Sequence, residues 1–295
     1  MATVSPPPVI IETALNGSTT QRINPTVPRT PAEIARQGLE CMAAGAAIIH
    51  SHPNADAGPD DLQEYVDAWT PILAERPDAL LYPTARFGAL NEPVERNWAH
   101  NLELAERGLM RMSLIDPGSV SLGMRPDGSL ALGGWDGVYR NPLPDTKYKL
   151  ERSAEAGLMP SVSIFDPSFL RAAVGFHTAG LLPAGSMIKI FFGQDAMFGL
   201  PPTPKALDAY LELLEGTGLP WSAGVLGGDV FADGFAELVV RRGGHLRVGL
   251  EDLTAPGERT NLEMTEQAVA LLADLGTRPA TVAETVKILG GPTPS

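Results

Sequence analysis

Eight short apolar runs recur along the chain with amphipathic segments of roughly ten to sixteen residues between most of them, and that alternation leaves few folds open. The runs lie at 8–14, 46–52, 79–85, 109–115, 159–165, 186–192, 220–226 and 245–251, each rich in the branched or bulky residues of a buried strand. Helix starts are marked between them. Thr30-Pro31-Ala32-Glu33, Pro59-Asp60-Asp61, Asp166-Pro167-Ser168 and Thr203-Pro204-Lys205 each supply a capping side chain or a proline for the first turn. Eight strand–helix units close most economically into a (β/α)8 TIM barrel, an α/β fold, here a single domain over 1–295 with short terminal extensions. A doubly wound open sheet is the alternative, but the Gly-rich phosphate turn that usually follows its first strand is missing.

Composition narrows the function classes. At 295 residues and 44% hydrophobic, the chain can bury one large core. A net charge of −13 argues against non-specific binding to nucleic acid or to an anionic membrane surface, both of which need a basic field. No apolar run approaches the ~20 residues of a membrane span, and the N-terminus lacks the order of a signal peptide, so a cytoplasmic location is expected. Cys41 is the single cysteine and sits at the end of a helical pattern, which reads as a small core residue rather than a nucleophile. The segment from Asp116 to Asp145, with six glycines, Trp135 and Tyr139, breaks the βα rhythm and reads either as a functional loop at the rim of a site or as a surface excursion.

Polar residues gather at strand ends. The run Ala-Ala-Ile-Ile-His50-Ser-His52 places two imidazoles two residues apart, a spacing that sends both to one side of a strand. The run His-Leu-Arg247-Val-Gly-Leu-Glu251-Asp252 ends in two carboxylates, and on a continuous strand Arg247, Gly249 and Glu251 would share one face. Two imidazoles and a carboxylate form a three-ligand catalytic zinc set, and parallel barrels carry their chemistry at the C-terminal ends of the strands. Glu12 interrupts the apolar run Val-Ile-Ile-Glu12-Thr-Ala-Leu, where an unpaired charge is costly. The bland readings stand beside these: a histidine near a strand end is more often a hydrogen-bonded core residue, and Glu12 with Arg247 equally fits an ion pair that fixes barrel register. His100 and His177 fall in helical patterns, and His245 opens a strand at the barrel's bottom face.

Several of these pieces resemble one family. Val-Ile-Ile-Glu-Thr-Ala-Leu-Asn-Gly, Thr-Pro-Ala-Glu-Ile-Ala, Ala-Gly-Ala-Ala-Ile-Ile-His-Ser-His, Gly-Gly-His-Leu-Arg-Val-Gly-Leu-Glu-Asp and Thr-Asn-Leu-Glu are similar, in order, to the beta-keto acid cleavage enzymes, which include 3-keto-5-aminohexanoate cleavage enzyme. The resemblance implies a zinc-dependent TIM barrel, usually a homotetramer, that exchanges acyl groups between a β-keto acid and acetyl-CoA to give acetoacetate and a new acyl-CoA. It implies that His50, His52 and Glu251 hold Zn2+, that Asp252 is the general base oriented by Arg247, and that Glu12 helps place the distal part of the substrate or a water. Thr84 takes the place of a family hydroxyl after the third strand, with Arg86 adding charge beside it. Other positions depart from the family pattern: Leu114 stands at or beside a usual hydroxyl position, Ser161 and Ser163 replace a usual Glu, and Leu253 replaces a common Asn. The neighbouring readings are a divalent-metal lyase or aldolase on the same barrel that does not use coenzyme A, and a barrel that has lost catalysis. The partners expected are small molecules, with no nucleic acid and no membrane.

Overall fold

The computed structural model describes residues 6–54, 58, 60–86, 92–123, 137–253 and 255–292. Ten strands are defined among them, β1 (Ile11–Ala14), β2 (Ile48–His50), β3 (Leu80–Tyr82), β4 (Met112–Ile115), β5 (Val120–Leu122), β6 (Gly137–Tyr139), β7 (Met159–Ile164), β8 (Met187–Gly193), β9 (Trp221–Leu226) and β10 (His245–Val248). Eight form one parallel sheet in the order β3-β2-β1-β10-β9-β8-β7-β4. The end strands β3 and β4 lie side by side without a ladder between them, so the barrel is closed in shape and unwelded at one seam. This is the expected (β/α)8 barrel.

Helix starts follow the capping signals. Thr30 and Glu33 form a reciprocal capping box ahead of Pro31–Ala44, Asp61 accepts from two backbone amides ahead of Leu62–Glu75, and Asp166 and Thr203 cap the helices that begin with Pro167 and Pro204. Strand alternation then sorts the side chains. Thr13 bonds Thr265 on the outer helix Asn261–Asp274, which places its neighbour Glu12 on the lumen side. Leu246, Val248, Ile188 and Ile190 are fully or almost fully buried, while Arg247 and Lys189 between them face inward. Cys41 is buried as expected, its thiol pushed up to about 12 by burial.

The glycine-bearing segment holds something the sequence did not suggest. β5 and β6 pair antiparallel, Val120 with Tyr139, as a small hairpin beyond β4. Residues 124–136, including Trp135, lie outside the described residues, as do Phe87 and Gly88 after β3.

Candidate metal centre and cavity

β2 ends at His50, and His52 follows in the segment just beyond it. Both imidazoles meet Glu251. His50 Nε2 lies 3.2 Å from one carboxylate oxygen and His52 Nε2 lies 3.4 Å from the other. Ligand atoms around one tetrahedral zinc at ordinary bond lengths are separated by about 3.3 Å, so this spacing is that of a site able to close on one cation. His50 Nδ1 lies 3.1 Å from the Tyr82 carbonyl; donating its proton there leaves Nε2 with its lone pair toward Glu251. Burial pushes His50 down to about 4, against the opposing pull of Glu251, so the ring is neutral at neutral pH, as a metal ligand must be. His52 Nε2 and Glu251 Oε2 are buried with no hydrogen-bond partner. With one ligand atom from each of His50, His52 and Glu251 within 4.8 Å of the others, orphaned atoms of these types fit a divalent cation.

The exit turn of β1 positions this triad. Asn16 Oδ1 accepts from the His52 amide at 2.8 Å, and Asn16 Nδ2 donates to the His52 carbonyl at 3.0 Å, clamping that backbone from both sides. Gly17 sits at φ +50°, and a Cβ there would come within 2.3 Å of Glu251 Cγ. Glu251 does not continue the strand as the shared parity with Arg247 predicted. β10 stops at Val248, and Gly249, at φ +129° with its α-carbon pressed on the Ala14 carbonyl, begins a turn that carries Glu251 and Asp252 back over the mouth.

Beneath the triad the lumen is charged. Glu12 and Arg247 are register partners on β1 and β10, joined at 2.6 Å, so the ion pair allowed for as a register device is present. Arg247 also grips Asp252, through Nε at 2.9 Å and Nη2 at 2.9 Å, and reaches Glu251 at 3.1 Å. Burial raises Asp252 to about 6, with Arg247 opposing. For Glu251, burial is outweighed by His50, Arg247 and His52 together, and its carboxyl is held well below the ordinary range.

Two more groups complete the network. The Tyr82 hydroxyl donates to Glu12, and Lys189 Nζ donates to that hydroxyl at 2.8 Å while lying 3.7 Å from Glu12. Neither had been singled out as functional from sequence. Lys189 interrupts the run Met-Ile-Lys-Ile-Phe-Phe as Glu12 interrupts its own strand, so the signal was present. Burial depresses the Lys189 ammonium, Glu12 partly restoring it.

A cavity of about 430 Å³ opens above these groups, lined by His50, His52, Glu251, Arg247 and Lys189 on its polar side. Thr84, Leu114, Asp116, Ser163, Phe165 and Phe191 also line it. Glu12 and Asp252 belong to the network but are not on this wall. Arg86 is absent from it too and pairs with Asp60 and Glu92 instead. Ser113 bonds Ser153 on an outer helix, which leaves Leu114, without a hydroxyl, at the cavity. Ser161 is buried off the wall, and Leu253 packs on the core. Among the remaining histidines, His100 bonds the Thr84 carbonyl at 3.0 Å, and His245 accepts from the Ile10 amide at the barrel's bottom.

A parallel barrel with a cavity at the C-terminal ends of its strands, largely apolar and carrying a few converging charged groups, is the architecture of an enzyme. The chain belongs to the beta-keto acid cleavage enzyme family, whose model matches residues 8–290. It is 26% identical over 289 residues to the 3-keto-5-aminohexanoate cleavage enzyme of Fusobacterium nucleatum, covering 95% of this chain and 97% of the relative. It is 29% identical over 298 residues to the 3-oxoadipate:acetyl-CoA acetyltransferase of Cupriavidus necator, covering 97% and 95%. Among solved structures, the binary complex of ObcA with oxaloacetate shares the fold at a TM-score of 0.67 and 15% identity, over 91% of this chain and 68% of that one.

Proposed function

We propose that this enzyme condenses a β-keto acid with acetyl-CoA to give acetoacetate and a new acyl-CoA, using zinc held by His50, His52 and Glu251. The observation that carries the reading is the triad itself, with its unpartnered buried donor atoms at the edge of the cavity. A divalent ion held there supplies positive charge to the oxygens of the keto acid as its central carbon loses a proton. Asp252, fixed by Arg247 just off the cavity wall, takes that proton once substrate is seated, directly or over one bridging water. Arg247, itself on the wall, faces the developing oxyanions with a charge that does not titrate. Glu12 holds Arg247 from the opposite strand, and Thr84 offers a hydroxyl to the substrate.

The carbanion attacks the acetyl thioester and expels coenzyme A as its thiolate. The thiolate adds to the original keto carbon, the bond between that carbon and the former carbanion centre breaks, and acetoacetate leaves after Asp252 returns its proton. The same reading carries a homotetramer and a cytoplasmic location; no helix among the described residues is long and apolar enough to cross a membrane.

The test is a panel of β-keto acids with and without acetyl-CoA, following acetoacetate. Acetyl-CoA-dependent acetoacetate formation is expected, and cleavage that needs no coenzyme A would assign the barrel to the lyases instead. His50→Ala and Glu251→Ala are expected to lose bound zinc and activity together, whereas Asp252→Asn keeps zinc by elemental analysis and loses turnover by about a thousandfold.

A further inference from the structure

The triad sits at one side of the barrel mouth, and the wall facing it is aromatic. His50 ends β2 and Glu251 follows β10, so the triad straddles β1. β7 lies four strands from β1 in either direction around the barrel, through β10, β9 and β8 or through β2, β3 and β4. Phe165 directly follows β7, between Leu114 on β4 and Phe191 on β8, and Phe198 comes from the segment after β8. All four line the cavity. The Phe165 ring stacks on Phe191 at 5.0 Å between centroids and meets Phe198 edge to face at 5.2 Å and Tyr139 at 5.8 Å. Tyr139, Phe191 and Phe198 belong to a buried cluster separate from the main core of the barrel, with Phe165 packed on it.

The charges on that side are already matched. Lys189 donates to the Tyr82 hydroxyl and is drawn to both Glu12 and Asp116. Asp116 accepts the Tyr139 hydroxyl proton on one oxygen, and two buried ammonium groups, Lys149 and Lys189, act on its charge. Its other oxygen, buried without a hydrogen-bond partner, calls for one neutral donor such as a water rather than a third cation. Lys189 Nζ and the Arg247 guanidinium lie 5.3 and 5.0 Å from the Phe191 centroid, so that ring marks the border between the charged floor and the apolar side. An ammonium or carboxylate carried into the cluster would lose its hydration without finding an unmatched counter-charge.

We propose that this aromatic cluster is the subsite for the substituent on the ketone carbon, so that the β-keto acid this enzyme takes carries an uncharged hydrocarbon chain or ring at the end remote from its carboxylate. Leu114 and Phe165 are its specificity-determining residues. The inference rests on the keto acid reading above and adds the polarity of the acyl group. A substrate held at the triad by its carboxylate and ketone oxygens directs that substituent across the mouth, and each methylene that enters the cluster leaves water.

The test measures kcat/KM for 3-oxopentanoate, 3-oxohexanoate, 3-oxooctanoate, 5-amino-3-oxohexanoate and 3-oxoadipate, each with acetyl-CoA, following acetoacetate. Across the alkyl series kcat/KM is expected to rise about threefold per methylene. At equal chain length, 3-oxohexanoate is expected to lead the amino and dicarboxylic acids by about a hundredfold. Leu114→Asn, close to the original in size, is expected to cut the ratio of 3-oxooctanoate to 3-oxopentanoate at least about fivefold with zinc content unchanged. A flat or falling alkyl series, a wild-type preference for either charged acid, or a ratio unchanged in Leu114→Asn overturns the subsite and leaves the family reaction intact. Failure of every acid to yield acetoacetate counts against the reaction instead. In that case the subsite is judged by calorimetric titration of the zinc-loaded protein with octanoate, hexanoate, 5-aminohexanoate and adipate. Affinity that falls in that order from octanoate to hexanoate to the two charged acids, with octanoate weakened in Leu114→Asn, supports it, and any other order refutes it.

Discussion

Lys189 is buried to 1% exposure and holds the Tyr82 hydroxyl, which in turn bonds Glu12, so one side chain sets the geometry of two others beneath the metal triad. Replacing it with methionine keeps much of the volume and removes the donor and the charge. Lys189→Met is expected to lower kcat/KM about a hundredfold with zinc content unchanged, because its charge faces the reacting cavity and the metal ligands lie elsewhere. Loss of zinc in this variant would show that Lys189 supports the triad rather than the substrate. At this scale the sequence pointed to His50, His52 and Glu251, which the fold brings together, since a His-x-His run is local and the Glu-Asp pair closes the apolar run that contains β10. It disclosed Glu12 by the cost of a charge in an apolar run, and the same argument reaches Lys189. Tyr82 carries no such mark, because an aromatic residue is at home in a strand core and only the fold shows its hydroxyl among charges. Asn16 acts through its neighbour's backbone, a role that residue type and spacing do not encode.

The turns at strand exits decide whether the ligands meet. Gly17 combines a left-handed backbone with a missing Cβ where Glu251 passes, so Gly17→Ala must both strain the chain and displace the carboxylate. It is expected to cost about 1–3 kcal/mol of stability and to weaken zinc binding, read by urea unfolding and by competition with a chelator. At the opposite end of β10, His245 accepts from the Ile10 amide, and burial lowers it from the usual 6.5 to about 4. Between those values the unfolded chain takes up a proton that the folded one refuses, so the stabilisation is complete above pH 6.5 and is lost as pH falls toward 4. The share from His245 is roughly 3 kcal/mol. In the metal-free protein His50 acts with the same sign, while Asp252, raised to about 6, holds a proton in the folded state and opposes it between 3.8 and 6. Comparing His245→Gln with the parent by urea unfolding at pH 7 and 5 isolates the one group: the variant should lose less stability on acidification, and equal losses would refute the assignment. The eight barrel strands were legible from their apolar runs, though most are shorter than the runs because the flanking residues belong to turns. The hairpin of β5 and β6 was not, since three-residue strands beside glycines leave no periodicity to read.

For the molecule as a whole, the triad joins β2 near the start of the barrel to the turn after β10 near its end. A cation held there binds the folded chain and not the unfolded one, which never brings these residues together. At a hundredfold excess over its dissociation constant zinc should therefore add about 2.7 kcal/mol, and chelation should lower Tm by about 5 °C in a scan with and without EDTA. An unchanged Tm would mean that no ion occupies the triad. Fold class was readable because eight alternating units admit one economical closure, whereas the open seam between β3 and β4 depends on tertiary fit that no single run records. The separation of the ligands has a further consequence for how the enzyme is made. A chain still on the ribosome exposes both imidazoles about two hundred residues before its carboxylate partner is translated, so the metallation of this enzyme should be an event of the finished chain. Stalled nascent chains ending short of Glu251 should retain no zinc.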